Sequence, residues 1–494
     1  MQLKQLVQQL PALSVEGSLE REVAGIAYDS RRVTPGMVFV AIPGQRTDGH
    51  DFINTAIERG ATAIICERNG AFPQRATKIK VADVREALAR AAISFYQHPS
   101  AKLKVIGITG TNGKTTVAFI AKTILEAAGI KTGLIGTVQY EIGERVIPAQ
   151  RTTPESLEVQ QMMAQMLRAD CEACVMEVSS HALEQKRVFG VEFDVGIFTN
   201  LTRDHLDYHG TMERYFAAKM KLFTALAQGT KKAAAVINLD DAFGARLAGT
   251  ARAELELTYG LQKAARLRAT QVQLKKDGSR FAVETPDRRF VCRLPLIGRH
   301  NIYNALAAVG AGIALKIDVL TIQAALNALP PVPGRLQTIS LGQPFGVYVD
   351  YAHTDDALKN VLTTLRELTK GRVLLAFGCG GNRDAGKRAK MGKVAAELAD
   401  FTLITSDNPR KEEPAKIAAQ IEEGYRSARA VGYAVELDRR RAINRIIGEA
   451  EAGDTVLIAG KGHETYQEFE DTVVPFDDRL HAHEALEALG FGRQ

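Results

Sequence analysis

The chain has 494 residues, enough for three domains at roughly 100–200 residues each, and 46% hydrophobic against 24% charged residues allows each a core. Lys plus Arg number 63 against 57 for Asp plus Glu, so the net charge of +6 is spread thinly and suits anionic small molecules rather than nucleic acid. The opening MQLKQLVQQLPALSVEG lacks a basic segment followed by an apolar one, and no run of about 18 apolar residues occurs, so a cytoplasmic protein without membrane insertion is expected.

Residues 1–99 alternate short apolar runs (MVFVAI, TAIIC) with helical patterns over Phe52–Arg59 and Val84–Tyr96, which predicts a small α/β unit. A boundary is expected around His98–Lys104, where Pro99 separates an Ala-rich helix from the apolar strand beginning at Val105. A second is expected at Leu329–Gly334 (LPPVPG), before a strand at Phe345–Val349. Residues 100–330 and 331–494 each repeat strand, Gly-rich turn and helix. That pattern predicts parallel sheets with ligands beyond the carboxyl ends of the strands. The expected class is α/β in three domains, 1–99, 100–330 and 331–494, with a central P-loop-type, mostly parallel sheet and a Rossmann-like C-terminal domain. The five cysteines, Cys66, Cys171, Cys174, Cys292 and Cys379, are odd in number and scattered. They read as reduced thiols, and the C-x-x-C at 171–174 has no second pair to complete a metal set.

Val105–Thr116 (VIGITGTNGKTT) reads as a strand, a glycine loop and a helix starting near Lys114. The backbone amides of Gly110, Thr111, Asn112 and Gly113 and the positive helix end would cradle a polyphosphate. Lys114 would reach its terminal groups, and Thr115, followed by Thr116, would hold Mg²⁺ through its hydroxyl. Ile108 stands where the general G-x-x-x-x-G-K-[ST] pattern has its first glycine, so the loop is a shorter variant. Downstream, Cys174–His181 (CVMEVSSH) is a strand ending in Glu177, a plausible Mg²⁺ ligand or an ordinary ion-paired strand residue. After the strand that starts at Ile197, Asp204, His205, Asp207 and His209 crowd into one loop, a set from which chemistry alone does not choose between magnesium and zinc.

These segments, taken with Ala217–Lys219 (AAK), Gly298–Asn301 (GRHN), Asn304, Gly334–Arg335 and Asp350–His353 (DYAH), resemble the Mur ligase family in content and order. Tyr28–Arg31 (YDSR), Asp407–Arg410 (DNPR) and Gly460–Glu464 (GKGHE) extend the resemblance over nearly the whole chain. It implies an ATP-dependent amide ligase of peptidoglycan precursor synthesis with ATP and Mg²⁺ as cofactors. Its partners would be UDP-MurNAc-L-Ala-D-Glu and meso-diaminopimelate, and a monomer is expected. The D-Glu side-chain carboxylate would be activated as an acyl phosphate and attacked by the incoming amine.

Carried over by position, Thr115, Glu177 and His205 resemble the magnesium ligands, and Lys114, His205 and Lys219 the catalytic set. Lys219 matches a lysine carried as a CO₂ adduct, where its sequence alone would read as a solvated helix lysine. Asn301, Arg335 and Asp350 resemble nucleotide contacts, although Asn301 also reads as a helix-cap residue. Ser30, Gln45, Arg46 and Thr47 fall on uridine-contact positions. Arg151, Thr152, Thr153, Ser179, Gln185 and Arg187 fall on muramoyl-peptide positions. Arg383, Asp407, Asn408, Pro409, Arg410, Gly460 and Glu464 match the diamino-acid site. Diaminopimelate has one carboxylate more than lysine, and a guanidinium such as that of Arg410 can bind it through two hydrogen bonds. Sister ligases adding lysine, a D-alanyl dipeptide or a folate-bound glutamate are the alternatives within the family, and a nucleotide-binding scaffold without ligation is the alternative outside it.

Overall fold

The computed structural model describes residues 1–492 apart from 45–46, 69–72, 74 and 263, so the expected contacts Gln45 and Arg46 lie outside the described residues. Three α/β layers follow one another along the chain. The first sheet has five strands in the order Ala12–Glu16, Thr77–Val81, Ala63–Cys66, Met37–Val40, Gly25–Ala27, all parallel except the edge strand Ala12–Glu16. Its two faces carry separate apolar cores, one built on Leu88, Val38 and Ile65, the other on Phe39, Ile64 and Ile53. Leu157, from the helix Ser156–Arg168 that follows the next sheet's first strands, packs into the former and ties the two layers together.

The second sheet has eleven strands. At its centre lies Lys104–Thr109, flanked in parallel by Val195–Phe198 and Ala173–Glu177. These strands are apolar almost throughout because helices cover both faces, as a buried parallel sheet requires. The alternation read from the sequence fails at the edges. Leu267–Lys275, Gly278–Glu284 and Arg289–Leu294 are consecutive antiparallel strands with no helix between them, and Thr132–Ile135, Gln139–Ile142 and Arg145–Pro148 form the opposite edge in the same way. Lys276-Asp277, followed by Gly278 at φ +139° in the next strand, supplies the first hairpin turn, and Gly143, at φ +59°, lies in the turn of the second set. Arg289–Leu294 then alternates exposed and buried side chains, having one wet face.

The third sheet has six strands in the order Gln337–Thr338, Gly346–Asp350, Thr455–Ala459, Val373–Phe377, Phe401–Ile404, Tyr433–Val435, parallel except for the first short pair. A two-stranded hairpin, Tyr466–Phe469 with Thr472–Pro475, stands beside it. Among the described residues no helix is long and apolar enough to cross a membrane, and all five cysteines are buried free thiols.

One buried ion pair fixes the working end of the last sheet. Arg439 and Asp478, each the first residue of a helix, are both fully buried and meet at 2.7 Å. The same guanidinium donates to the carbonyl oxygens of Ser406 (3.2 Å) and Ala459 (2.9 Å), just past and at the ends of the two strands that flank Val373–Phe377. Removing one partner of such a pair strands the other charge away from water. Asp478→Ala is therefore expected to lower the stability of the last domain by about 3–5 kcal/mol. Hydrogen exchange across Thr455–Ala459 should quicken accordingly, and unchanged protection there would count against this role.

Candidate active site

The loop after Lys104–Thr109 turns at Gly113, whose φ of +87° only glycine adopts without strain, and the helix Lys114–Ala127 starts from it. A Cβ on Gly113 would stand 2.2 Å from Oδ1 of Asn304, a buried residue of the helix Arg299–Ala314. Asn304 donates to Oδ1 of Asn301, whose own Nδ2 donates to Ile297 O at 2.8 Å. Asn301 thus braces the turn that enters its helix and, through Asn304, the phosphate loop. Its cap-like and site-directed readings describe one network.

Two lysines converge on the loop. Lys114 Nζ donates to the carbonyl oxygens of Gly110 (3.0 Å) and Thr111 (2.8 Å), and Lys219 Nζ donates to the same Gly110 oxygen at 2.8 Å. Lys219 lies on the buried face of Met212–Gln228 with its ammonium 4.5 Å from the Tyr215 ring centre, so its expected exposure as a helix lysine is not what the structure has. Burial and the neighbouring Lys114 cation hold its amine well below the ordinary lysine range, and burial lowers Lys114 as well.

Glu177 ends its strand beside the loop, buried, and accepts from Thr115 Oγ1 (3.1 Å), Thr137 Oγ1 (2.9 Å) and Thr137 N (2.8 Å). Its carboxylate and the two hydroxyls form an oxygen-rich set suited to a hard divalent cation. His205, at φ +53° after the strand Val195–Phe198, packs edge-on to His181 with centroids 4.8 Å apart. Burial pulls its imidazole down to about 3 although Asp204 opposes it, leaving a neutral ring able to act as a ligand. Among the described residues no three His, Cys, Asp or Glu side chains gather into a protein-only metal cage. His209 instead bonds Ser180 Oγ at 2.9 Å and stacks on Tyr215, an aromatic brace under the site.

The last domain reaches across to this loop. Arg335 Nη2 donates to Thr115 Oγ1 at 3.0 Å while its guanidinium lies over the Tyr351 ring, and Asn112 Nδ2 donates to Asp356 Oδ2 at 2.8 Å. Asp350 is buried and accepts from Leu336 N (2.6 Å) and Ala352 N (2.8 Å), so it holds the segment carrying Arg335. Arg203 and Asp384 approach to 3.7 Å on the same boundary.

On the other side, Thr153 Oγ1 donates to Glu177 O and accepts from Ser179 N, while the hydroxyls of Thr152 and Thr137 pair at 3.1 Å with Thr152 as the donor, since Thr137 donates to Glu177. Ser179 caps the helix Ser180–Glu184. Arg187 contacts Thr153 O (3.0 Å), Gln185 Oε1 (2.7 Å) and Glu155 (3.1 Å), and Arg151 shares Glu155 at 2.7 Å. These residues therefore form one patch beside Glu177. Ser30 is buried in the first domain behind Asp29, and Tyr28 reaches Glu158 at 2.9 Å, while Thr47 is exposed on its loop.

In the last domain three strand ends converge. Gly380 lies between the two expected arginines, since a Cβ on it would meet Arg410 Nη1 at 3.0 Å and Arg383 Cγ at 3.9 Å. Arg410 is oriented by Glu468 (2.8 Å) and by Gly381 O (2.9 Å), and Asn408 Nδ2 donates to Glu464 Oε2 at 2.8 Å. Three further residues have roles the sequence did not indicate. Thr137 and Asp356 lie in segments without a recognisable pattern, and Lys461, inside GKGHE, is fully buried. A cleft of about 470 Å³ at the opposite end of the central sheet, lined by Lys102, Lys104, Asp194 and Lys231, is remote from all of these groups.

Comparison with known proteins agrees with this arrangement. Residues 22–96 match the model of the Mur ligase family catalytic domain, 108–312 that of the Mur ligase middle domain and 334–462 that of the Mur ligase glutamate ligase domain. A protein of Solibacter usitatus named UDP-N-acetylmuramoyl-L-alanyl-D-glutamate--2,6-diaminopimelate ligase is 48% identical over 472 residues, covering 96% of this chain and 95% of that protein. A solved structure of an enzyme of that name is 31% identical with a TM-score of 0.70 and 99% coverage of both chains. A MurF ligase of Thermotoga maritima, solved in complex with ADP, shares the fold at 20% identity, TM-score 0.63, covering 95% of this chain and 96% of that one.

Gly113→Ala forces a strained backbone and a clash with Asn304 at the centre of the loop. It is expected to weaken nucleoside-triphosphate binding by about tenfold or more, equivalent to about 1.4 kcal/mol, with little change in melting temperature. Calorimetric titration with a nonhydrolysable ATP analogue checks this, and an unchanged Kd would show that the turn does not shape the phosphate site.

Proposed function

The chain belongs to the Mur ligase family, and on that premise we propose that it is the ATP-dependent ligase that adds meso-2,6-diaminopimelate to UDP-MurNAc-L-Ala-D-Glu in peptidoglycan precursor synthesis. The observation that carries the reading is the convergence, in one last-domain pocket, of Arg410 and Arg383 about Gly380 with the Asp407–Glu464 carboxylates close by. A carboxylate and an ammonium of one amino acid find opposite charges there.

In this mechanism ATP lies with its phosphates against the amides of residues 110–113 and the positive end of the helix Lys114–Ala127, with Asn301, Arg335 and Asp350 towards its nucleoside. Thr115, Glu177 and His205 would hold Mg²⁺, which supplies charge neutralisation between phosphate and carboxylate, two anions that otherwise repel. Ser30, with the loop that holds Gln45, Arg46 and Thr47, takes the uridine. Arg151, Thr152, Thr153, Ser179, Gln185 and Arg187 position the muramoyl peptide so that the D-Glu carboxylate oxygen faces the γ-phosphorus. The carboxylate oxygen forms the new P–O bond as the bond to ADP breaks. The amine of the diamino acid then attacks the acyl carbon, loses its proton and expels phosphate. Lys114 offsets the developing charge on the transferred group.

The same reading gives Lys219 a second form. Burial and the Lys114 cation favour the uncharged form of this amine, the form that reacts with CO₂: the nitrogen lone pair forms the N–C bond as a C=O π bond opens, a proton leaves to water, and the amine becomes a carbamate anion. In that form it would help orient the metal rather than repel it. The substrates, a nucleotide and a UDP-linked peptide, place the reaction in the cytoplasm, and a single chain carries all three sets of loops, so a monomer suffices.

Two experiments check these statements. Phosphate release with UDP-MurNAc-L-Ala-D-Glu, ATP and Mg²⁺ should be strong with meso-diaminopimelate and weak with L-lysine, and Arg410→Ala should cut it by about a hundredfold, as loss of a charge-assisted pair does. Equal rates with both amino acids would point to a lysine-tolerant sister ligase. Incubation with ¹³C-bicarbonate should give a carbamate carbon signal that Lys219→Met abolishes, and a wild type without that signal would leave Lys219 as a plain amine.

A further inference from the structure

Lys461 is the one residue of the GKGHE segment whose side chain is a fully buried cation. Its Nζ donates to Asn408 Oδ1 at 3.0 Å and Glu464 Oε2 at 3.1 Å and lies 3.9 Å from Asp407 Oδ1. Asn408 is the hub of this set. Its Oδ1 also accepts from Glu468 N (3.1 Å), and its Nδ2 donates to the same Glu464 oxygen that Lys461 touches. The strand end at Asp407, the strand end at Gly460 and the hairpin strand Tyr466–Phe469 therefore meet on one ammonium.

The charges around it can be counted. Arg439 lies near Asp407 and Glu464 but is matched by Asp478, and Arg410 is matched by Glu468. Tyr466, whose ring centre is 5.4 Å from Nζ, and Tyr351 face the same carboxylates and are neutral, burial and those carboxylates raising both phenols. Arg383, the other arginine at Gly380, is exposed, so the buried cation that Asp407 and Glu464 contact is Lys461, and these three groups together hold one net negative charge. One further cation completes it. Burial, and next the Asp407 charge, push the Glu464 carboxyl up, and Lys461 pulls it back.

We propose that Lys461 is a positioning residue for amino-acid binding, the internal counter-ion that holds the Asp407, Asn408 and Glu464 side chains as a single receptor for an ammonium group of the incoming diamino acid. The proposal rests on the reading of this pocket as the amino-acid site. Without the cation two buried carboxylates would face each other, Glu464 would take a proton at a higher pH, and the protonated acid would not hold an ammonium. Binding is lost as pH falls through the Glu464 titration, so removing Lys461 moves that loss to higher pH.

The test is Lys461→Met, similar in length and uncharged, in the full chain. The Glu464 side-chain carboxyl carbon, identified by its disappearance in Glu464→Gln, is titrated by ¹³C NMR in deuterated protein. Its midpoint is expected to rise by about one pH unit or more in Lys461→Met and to return towards wild type in Lys461→Arg. In steady-state assays the KM for meso-diaminopimelate is expected to rise about tenfold, with the acidic limb of kcat/KM displaced to higher pH by the same amount and the KM for ATP unchanged. If Lys461→Met does not fold, Asp407→Asn reads the same coupling from the other side, and the Glu464 midpoint should fall. An unmoved Glu464 midpoint in the folded variant overturns the counter-ion role whatever the substrate. A shifted midpoint with a wild type inactive towards diamino acids overturns the amino-acid reading of the pocket instead.

Discussion

Two ammonium groups sharing one carbonyl oxygen, that of Gly110, set the terms for the rest of the site. Lys114 and Lys219 are both withdrawn from water, and each raises the cost of the other's charge. Such an arrangement is tolerable only where anions are to arrive or where one of the amines changes its chemistry. Glu177, held by Thr115 and Thr137, and Asp204 beside His205 are the permanent anions within reach, too few to settle the site alone. A polyphosphate at the start of the helix Lys114–Ala127 would supply the missing charge, although the Thr111 and Asn112 amides here donate to Asn200 O and Oδ1, both at 2.9 Å.

The second and third sheets serve this arrangement in the same manner. The strand-borne groups stand at or just beyond the carboxyl ends of parallel strands, at 109, 177, 198, 350, 377, 404 and 459, while Lys219, Asn301 and Asn304 come from helices. Loops there are fixed at their roots and open at their tips. Rigidity comes from buried polar ties rather than from the loops themselves. Asn304 braces the phosphate turn, Asp350 anchors the segment of Arg335, and the Arg439–Asp478 pair holds two strand ends of the last sheet together.

How much of this could be read from the residues depended on locality. The phosphate loop was legible because strand, glycines, lysine and helix start are consecutive. The antiparallel edges were not anticipated although Asp277-Gly278 is a hairpin signal, because the strand–helix alternation of the surrounding segments dominated the reading. Side chains joined over long sequence distances left no local trace. Asn112 with Asp356 spans 244 positions and Arg335 with Thr115 spans 220. Lys219 needed the family resemblance, since nothing in AAK distinguishes a sealed amine from a solvated one. Gln45 and Arg46 fall outside the described residues, and the uridine side of the site remains a matter of sequence position.

The bonds from Arg335 to Thr115 and from Asp356 to Asn112 have a thermodynamic corollary. Both end on groups of the phosphate loop itself, so a triphosphate entering the loop must replace or share them. Nucleotide affinity and the preference of the last domain for this docked arrangement are then linked quantities. Docking changes nucleotide affinity by the same factor as nucleotide changes the docking equilibrium, because the two share a thermodynamic cycle. The loop is in this sense a two-input element, and a chain severed before residue 334 would keep its glycines and lysines while its nucleotide affinity no longer carried the docking term.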